Sequence, residues 1–152
     1  MANSPAVLGS FLAFNSAMGE AKIGGKLHNQ VKFMTSETNS CDYGTSILSA
    51  VAPSAGLSAG DILAGRTGKS DDQHTKAALE VAKDVLESRG QVSDQQLAAV
   101  RDAGHSDAEI VEIVASAVLG CFTNFLNNVA DRELDIPKAD PVEAGSTAKH
   151  YF

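Results

Sequence analysis

"GHSDAEIVEIVASAVLGCFTNFLNNVAD", residues 104–131, is the stretch that decides the fold of this chain. Ser106 is followed three residues later by Glu109, which is a capping-box pattern in which both side chains satisfy free backbone N–H groups at a helix start. The apolar residues that follow cover an arc wider than one stripe, which is typical of a helix packed between several neighbours. The sequence therefore predicts a long central helix over 107–131.

Helix start and stop patterns recur along the rest of the chain, whereas alternating strand patterns are nearly absent. Further capping boxes are predicted at Ser70 to Gln73 and Ser93 to Gln96, with a weaker one at Ser58 to Asp61. Glycines that can end a helix in the left-handed conformation follow at positions 68, 90 and 104. Together these patterns predict seven helices, near 5–18, 25–39, 41–53, 58–66, 71–89, 94–103 and 107–131.

The connections between these helices are short, and no linker composition interrupts the chain over 20–135. A chain of 152 residues is long enough to bury one ordinary core. We therefore predict one compact all-α domain. Within it we expect an N-terminal helical segment over 1–21, a helical domain over 22–137 and a polar C-terminal tail over 138–152.

The charge balance of 12 basic and 19 acidic residues gives a net charge of −7. This field repels phosphate backbones and anionic lipids, so we expect neither nucleic acid nor a membrane as partner. No apolar run is judged to approach the roughly 20 residues of a membrane span. Two cysteines are too few for a secreted disulfide framework, which favours a cytoplasmic location.

The segment CDYGTSILSA, residues 41–50, begins with a cysteine at a predicted helix start. A dithiol motif would place its second cysteine at Gly44, and a histidine serving that thiol would stand one turn later, at Leu48. Glycine has no nucleophile and leucine has no titratable nitrogen. The segment therefore keeps one thiol of a redox turn without its partners.

Two blocks of sequence resemble the alkylhydroperoxidase D and carboxymuconolactone decarboxylase family. The first runs from HNQVKFMTSETNSC to the end of DYGTSILSAVAPSAGLSAGDI, residues 28–62. The second, residues 76–137, is similar to the closing helices of the family, with Gly-His-Ser-Asp-Ala-Glu-Ile and Asn-x-x-Asn before Asp-x-Pro. The resemblance extends over residues 22–137.

The resemblance implies an all-α subunit that forms trimers or hexamers, with a peroxidase site of Glu, Cys-x-x-Cys and His. In such members the second cysteine attacks peroxide, the first resolves it as a disulfide, and Glu and His relay the proton. Cys41 matches the first cysteine. The positions of the attacking cysteine, the histidine and the glutamate hold Gly44, Leu48 and Asn29, and Asn128 stands where many relatives carry a histidine.

The residues themselves leave several roles open. Cys41 lies at a helix start, where free N–H groups activate thiols, but Asp42 adds an opposing charge and a packing role is equally compatible. Glu37 is a candidate base or a solvated carboxylate, and Tyr43 a ligand donor or a packing residue. Helical spacing places Cys121, Asn124 and Asn128 on one face, either lining a pocket or bonding between helices.

The four histidines, at positions 28, 74, 105 and 150, lie in four segments without metal-ligand spacing. We therefore expect no metal and no cofactor. Partners are expected to be a small-molecule substrate or ligand and further copies of the chain.

Three functions remain open at this level. The first is thiol-dependent peroxide reduction at Cys41, impaired or redirected by the altered site. The second is a lyase or decarboxylase in which Glu37, Tyr43, Asn29 and Asn128 position a substrate. The third is a small-molecule-binding protein in which Gly44 and Leu48 have left an enlarged apolar pocket.

Overall fold

The computed structural model describes residues 1–131 and 133–142 of the chain. Within these ranges it contains α-helices and no strand, which confirms the predicted all-α fold, and each predicted helix end lies within two residues of the observed one. The helices are α1 (Pro5–Met18), α2 (Gly24–Thr38), α3 (Asp42–Val51), α4 (Ala59–Thr67), α5 (Gln73–Ser88), α6 (Asp94–Asp102) and α7 (Asp107–Ala130).

Local capping explains most of these starts. Complete capping boxes form at the starts of α4, α6 and α7, as predicted. The start of α5 was predicted wrongly, because Asp72 rather than Ser70 is its N-cap and accepts a hydrogen bond from Thr75 N at 3.0 Å. The Ser70 hydroxyl instead accepts from the backbone N of Asp72. The Asp72 carboxylate therefore caps α5 in place of the Ser70 hydroxyl, which lies two residues earlier.

Helices α2 and α7 run in the same direction through the centre of the fold. Their first halves are joined where Ile23 N donates to Glu112 Oε2 at 3.0 Å, and their ends where Asn128 Nδ2 donates to Asn39 O at 3.2 Å. Gly120 lies at the crossing, where a Cβ atom would come within 2.9 Å of a side chain on α2. The two backbones therefore approach closely and fix which side chains meet.

The buried apolar residues form two clusters. The larger one lies among α2, α5 and α7, with contributions from α4 and α6. The smaller one lies beneath α3 and α4 and consists of Phe33, Leu48, Ala52, Leu57 and Ile62. The end of α3 therefore packs on an apolar cluster.

The length and composition of α7 contradict one prediction made from the sequence. It is long and apolar enough, by length and composition, to cross a membrane, so the judgement that no apolar run approaches that length was wrong. Core helices share this composition, and one face of α7 is buried against α2. Its outer face carries the α7 apolar stripe, which consists of the partly or largely exposed residues Val111, Val118, Phe122, Phe125 and Val129.

The described part of the predicted tail lies against α3. Lys138 Nζ is 2.5 Å from Asp42 Oδ2, and Ala139 N donates to Ser46 Oγ at 3.0 Å. Residues 143–152, which complete the predicted tail and include His150, lie outside the described ranges.

Candidate functional site

The candidate site lies where the end of α2, the start of α3 and the second half of α7 meet. Cys41 is the N-cap of α3 and is only 1% exposed. Its Sγ accepts a hydrogen bond from Gly44 N at 3.3 Å and lies 3.8 Å from the carbonyl oxygen of Asn124, to which the thiol can donate. The thiol is therefore held from both sides by backbone groups.

Gly44 is packed too tightly to carry a side chain. A Cβ atom at this position would lie 2.6 Å from Asn124 Oδ1, 2.8 Å from Ser36 Oγ and 3.3 Å from Cys41 Sγ. The expected enlarged apolar pocket is therefore not found at Gly44, because polar side chains fill the space that a second cysteine would need.

These groups form a polar cluster, defined here as Ser36, Cys41, Gly44 and Asn124. Ser36 Oγ donates to Asn124 Oδ1 at 3.3 Å, and both side chains are buried. Asn124 Nδ2 has no hydrogen-bond partner in the part of the chain that the structure describes. Ser36 was missed in the sequence, because nothing local distinguishes it from the neighbouring hydroxyl residues of α2.

The remaining polar residues on this face of α7 bind the end of α2. Asn39 Nδ2 donates to Cys121 Sγ at 3.4 Å, and Asn128 donates to the Asn39 carbonyl. Cys121, Asn124 and Asn128 therefore do share one face, as the helical spacing predicts. Their contacts are interhelical hydrogen bonds, one of the two interpretations left open by the sequence.

Leu48 and Asn29 lie away from the polar cluster. Leu48 is buried in the smaller apolar cluster with Phe33 and Ile62. Asn29 donates to Gly25 O within its own helix at 2.8 Å. Neither side chain can relay a proton to Cys41.

A charged crevice lies on one side of the α3 start, with a volume of about 270 Å³. It is lined by Glu37, Asp42, Thr45, Arg66 and Lys138, among others. Arg66 Nε is 2.5 Å from Glu37 Oε1, and the arginine side chain is nearly fully buried. Glu37 therefore forms an ion pair with Arg66. Arg66 is a residue of the candidate site that was not predicted from the sequence.

A second crevice of about 370 Å³ lies on the other side of the α3 start, and its lining includes Tyr43 and Asn128. The Tyr43 hydroxyl donates to Asp135 Oδ1 at 3.2 Å. The residues of the predicted lyase site are thus divided, since Glu37 lines the charged crevice, Tyr43 and Asn128 line the second, and Asn29 lines neither.

The pKa of His28, on α2 and N-terminal to this site, is strongly lowered. Burial, followed by the charge of Lys32, lowers the pKa of His28 to about 4, and burial also lowers the pKa of Lys32. His28 Nδ1 is 2.8 Å from Ser116 Oγ, which itself donates to the Glu112 carbonyl. The ring is therefore held neutral, with Nδ1 as the donor.

No family model matches this chain, and no curated protein matches it. Among solved structures, it is similar to an uncharacterized peroxidase-related protein from Silicibacter sp. TM1040, with a TM-score of 0.72 over 83% of this chain and 69% of that one. The sequence identity of 17% means that the similarity shows the fold alone. The chain therefore shares the all-α fold of that protein, and the resemblance to the alkylhydroperoxidase D and carboxymuconolactone decarboxylase family stays a prediction.

Proposed function

We propose that this protein has a peroxidase-related fold without a two-thiol peroxidase cycle, and that it binds a small zwitterionic molecule in the charged crevice beside Cys41. The packing of Gly44 against Asn124 and Ser36 carries the first part of the proposal. Gly44 stands where the resemblance would place the attacking thiol, and the polar side chains of Asn124 and Ser36 pack against it. The substitution Gly44→Cys alone would therefore not restore the site.

The chemistry of the cycle supports this proposal. A thiolate attacks the O–O bond to give a sulfenic acid and an alcohol, and a second thiol then forms a disulfide and releases water. Cys41 has no partner thiol at position 44, and its own sulfur is almost completely buried. An external reductant would have to reach that buried sulfur to complete each turnover.

The crevice favours a ligand that carries both charges. Its charged groups form two ion pairs, Arg66 with Glu37 and Lys138 with Asp42, and a ligand with both charges can exchange with the exposed Lys138–Asp42 pair. The volume is below the roughly 300–1,000 Å³ of pockets for drug-sized ligands, so the ligand is small. The overall charge of −7 disfavours a molecule with only negative charges. A free amino acid has the required size and charge.

Two measurements test this function. Purified protein with excess dithiol should consume hydrogen peroxide and an alkyl hydroperoxide no faster than its Cys41→Ser variant. Calorimetric titration with a panel of free amino acids should show one bound ligand per chain, weakened about tenfold by Lys138→Gln. Lys83→Gln, which removes an exposed lysine from α5, is the matched control. Absence of binding across the panel would reject the ligand proposal.

One-thiol peroxide chemistry at Cys41 is the second candidate. The hydrogen bond from Gly44 N to Cys41 Sγ favours it, because such a donor stabilises a thiolate. Peroxide turnover that disappears in Cys41→Ser and survives in Cys121→Ser would establish this activity and displace the first proposal.

We also propose that the α7 apolar stripe is covered by further copies of the chain. Its residues are spaced by seven, four, three and four positions along the helix, so they form one continuous face, and Val129 is 86% exposed. Burial of such a face is the usual driving force for a homo-oligomer. A trimer or hexamer, a cytoplasmic location and the absence of nucleic-acid and membrane partners stay predictions.

A further inference from the structure

Three side chains meet where the starts of α5 and α7 come together, although His74 lies 31 residues before His105 in the sequence. His74 lies in the first turn of α5, His105 in the turn before α7, and Glu109 in the first turn of α7. One possible ligand atom from each lies within 4.8 Å of the other two. This grouping was not predicted, because His74 comes from a different segment of the sequence than His105 and Glu109.

His105 has the features of a prepared metal ligand. It is 3% exposed, and its Nε2 is 2.8 Å from the carbonyl oxygen of His74. A carbonyl only accepts, so Nε2 carries the hydrogen and Nδ1 of the neutral ring keeps a bare lone pair. Nδ1 has no hydrogen-bond partner among the residues that the structure describes. Metal-binding histidines commonly donate their other ring N–H to a carbonyl in this way.

The other two side chains complete a ligand set. The rings of His74 and His105 are stacked, with their centroids 3.6 Å apart. Glu109 Oε2 accepts both capping hydrogen bonds of Ser106, at 2.8 Å from N and 2.6 Å from Oγ, which leaves Oε1 for a cation. Hydrogen bonds from Ser106 lower the pKa of Glu109, and the nearby histidines lower it further, so the carboxylate is ionised.

The local charges also matter, because the positive ends of α5 and α7 disfavour a cation. Two carboxylates offset them, Glu109 at the start of α7 and Asp72 at the start of α5. Hydrogen bonds from Thr75 lower the pKa of Asp72, so this group is ionised as well.

We propose that His74, His105 through Nδ1, and Glu109 bind a Zn²⁺ ion. Two imidazoles and one carboxylate are a common zinc set and leave the fourth tetrahedral position to water or another ligand. Bonds of about 2.0–2.1 Å place ligand atoms roughly 3.3 Å apart. His74 and Glu109 are only half-buried and can rotate inward, while His105 keeps its position.

Titration of the full chain with Co²⁺, followed by Zn²⁺, tests this site. We expect one Co²⁺ per chain, with the visible bands of tetrahedral nitrogen and oxygen coordination and without thiolate charge transfer, because neither cysteine is a ligand. Zn²⁺ should displace Co²⁺ and raise the melting temperature. Glu109→Gln, which keeps an oxygen for the Ser106 cap, and His105→Gln should each weaken Zn²⁺ binding by about tenfold or more.

The controls separate this site from other ligands. His28→Gln removes a different buried histidine and His150→Gln removes the histidine outside the described ranges, and both should leave the affinity unchanged. If His105→Gln fails to fold, His74→Gln and Glu109→Gln decide the matter. Zn²⁺ binding that persists unchanged in those two variants, binding that depends on His150, or no binding at all would overturn the proposal.

Discussion

Asn124 occupies the space that a side chain at position 44 would need, since a Cβ atom on Gly44 would lie 2.6 Å from Asn124 Oδ1. The amide is itself held by Ser36 Oγ at 3.3 Å and is almost fully buried. The side chains of Asn124 and Ser36 thus fill the space that a side chain at position 44 would need. The start of α3 can therefore pack closely against the second half of α7 because position 44 is a glycine.

The first prediction concerns this contact. Gly44→Ala should lower the free energy of unfolding by about 1–3 kcal/mol, because the added methyl group overpacks a polar and buried region. Urea denaturation measures the change. Gly25→Ala is the matched control, since a Cβ atom there meets nothing within 4 Å, and this variant should be neutral or slightly more stable. Equal stability of Gly44→Ala and the parent chain would contradict the packing described here.

The helices could be predicted because their starts are encoded locally. Ser106 and Glu109 lie three residues apart, and their capping box forms as the sequence indicates. The start of α5 could not be placed as well, because Ser70 and Asp72 are both possible caps and only the folded chain shows that the carboxylate is used. Local competition between acceptors limits this kind of prediction.

The candidate site could be predicted only in part. The shared face of Cys121, Asn124 and Asn128 follows from helical spacing alone. Ser36 was missed, because the face of α2 that meets α7 depends on how closely the two helices cross, and this is set by Gly120. The meeting of His74 and His105 depends in the same way on tertiary packing between separate helices.

The second prediction concerns the position at which the resemblance would place a histidine. Leu48→His should destabilise the protein by about 2 kcal/mol or more, because it puts an imidazole into an apolar cluster without hydrogen-bond partners. The loss should increase below pH 6.5, where the unfolded chain binds a proton that the buried ring resists. Leu48→Met, which keeps the volume, should cost less than about 1.5 kcal/mol. Chemical denaturation at two pH values distinguishes these outcomes.

The third prediction follows from His28. Burial lowers its pKa in the folded protein to about 4, below the ordinary histidine value of 6.5, so the unfolded chain binds the proton more tightly. Stability is therefore complete above pH 6.5 and falls as the pH is lowered towards 4. The difference corresponds to about 3 kcal/mol at most.

Unfolding free energies measured between pH 7 and 4 test this origin of acid sensitivity. His28→Gln keeps an amide donor for Ser116 but cannot titrate, so it should remove most of the slope attributed to His28. A slope that is the same in this variant and in the parent chain would assign the acid sensitivity to other groups.

The fourth prediction concerns the α7 apolar stripe. Phe125 is 55% exposed and Val118 is 52% exposed, and they lie seven residues apart on one helix face. Phe125→Glu and Val118→Glu should each shift the protein towards monomers, because a carboxylate buried in an apolar interface has no partner. Light scattering after size-exclusion chromatography measures the mass.

Val51→Glu adds the same charge to an exposed position on α3 and should leave the assembly intact. A parent chain that is already monomeric at micromolar concentration would reject the proposed assembly, whereas an oligomer that survives both α7 substitutions would place its interface on another surface.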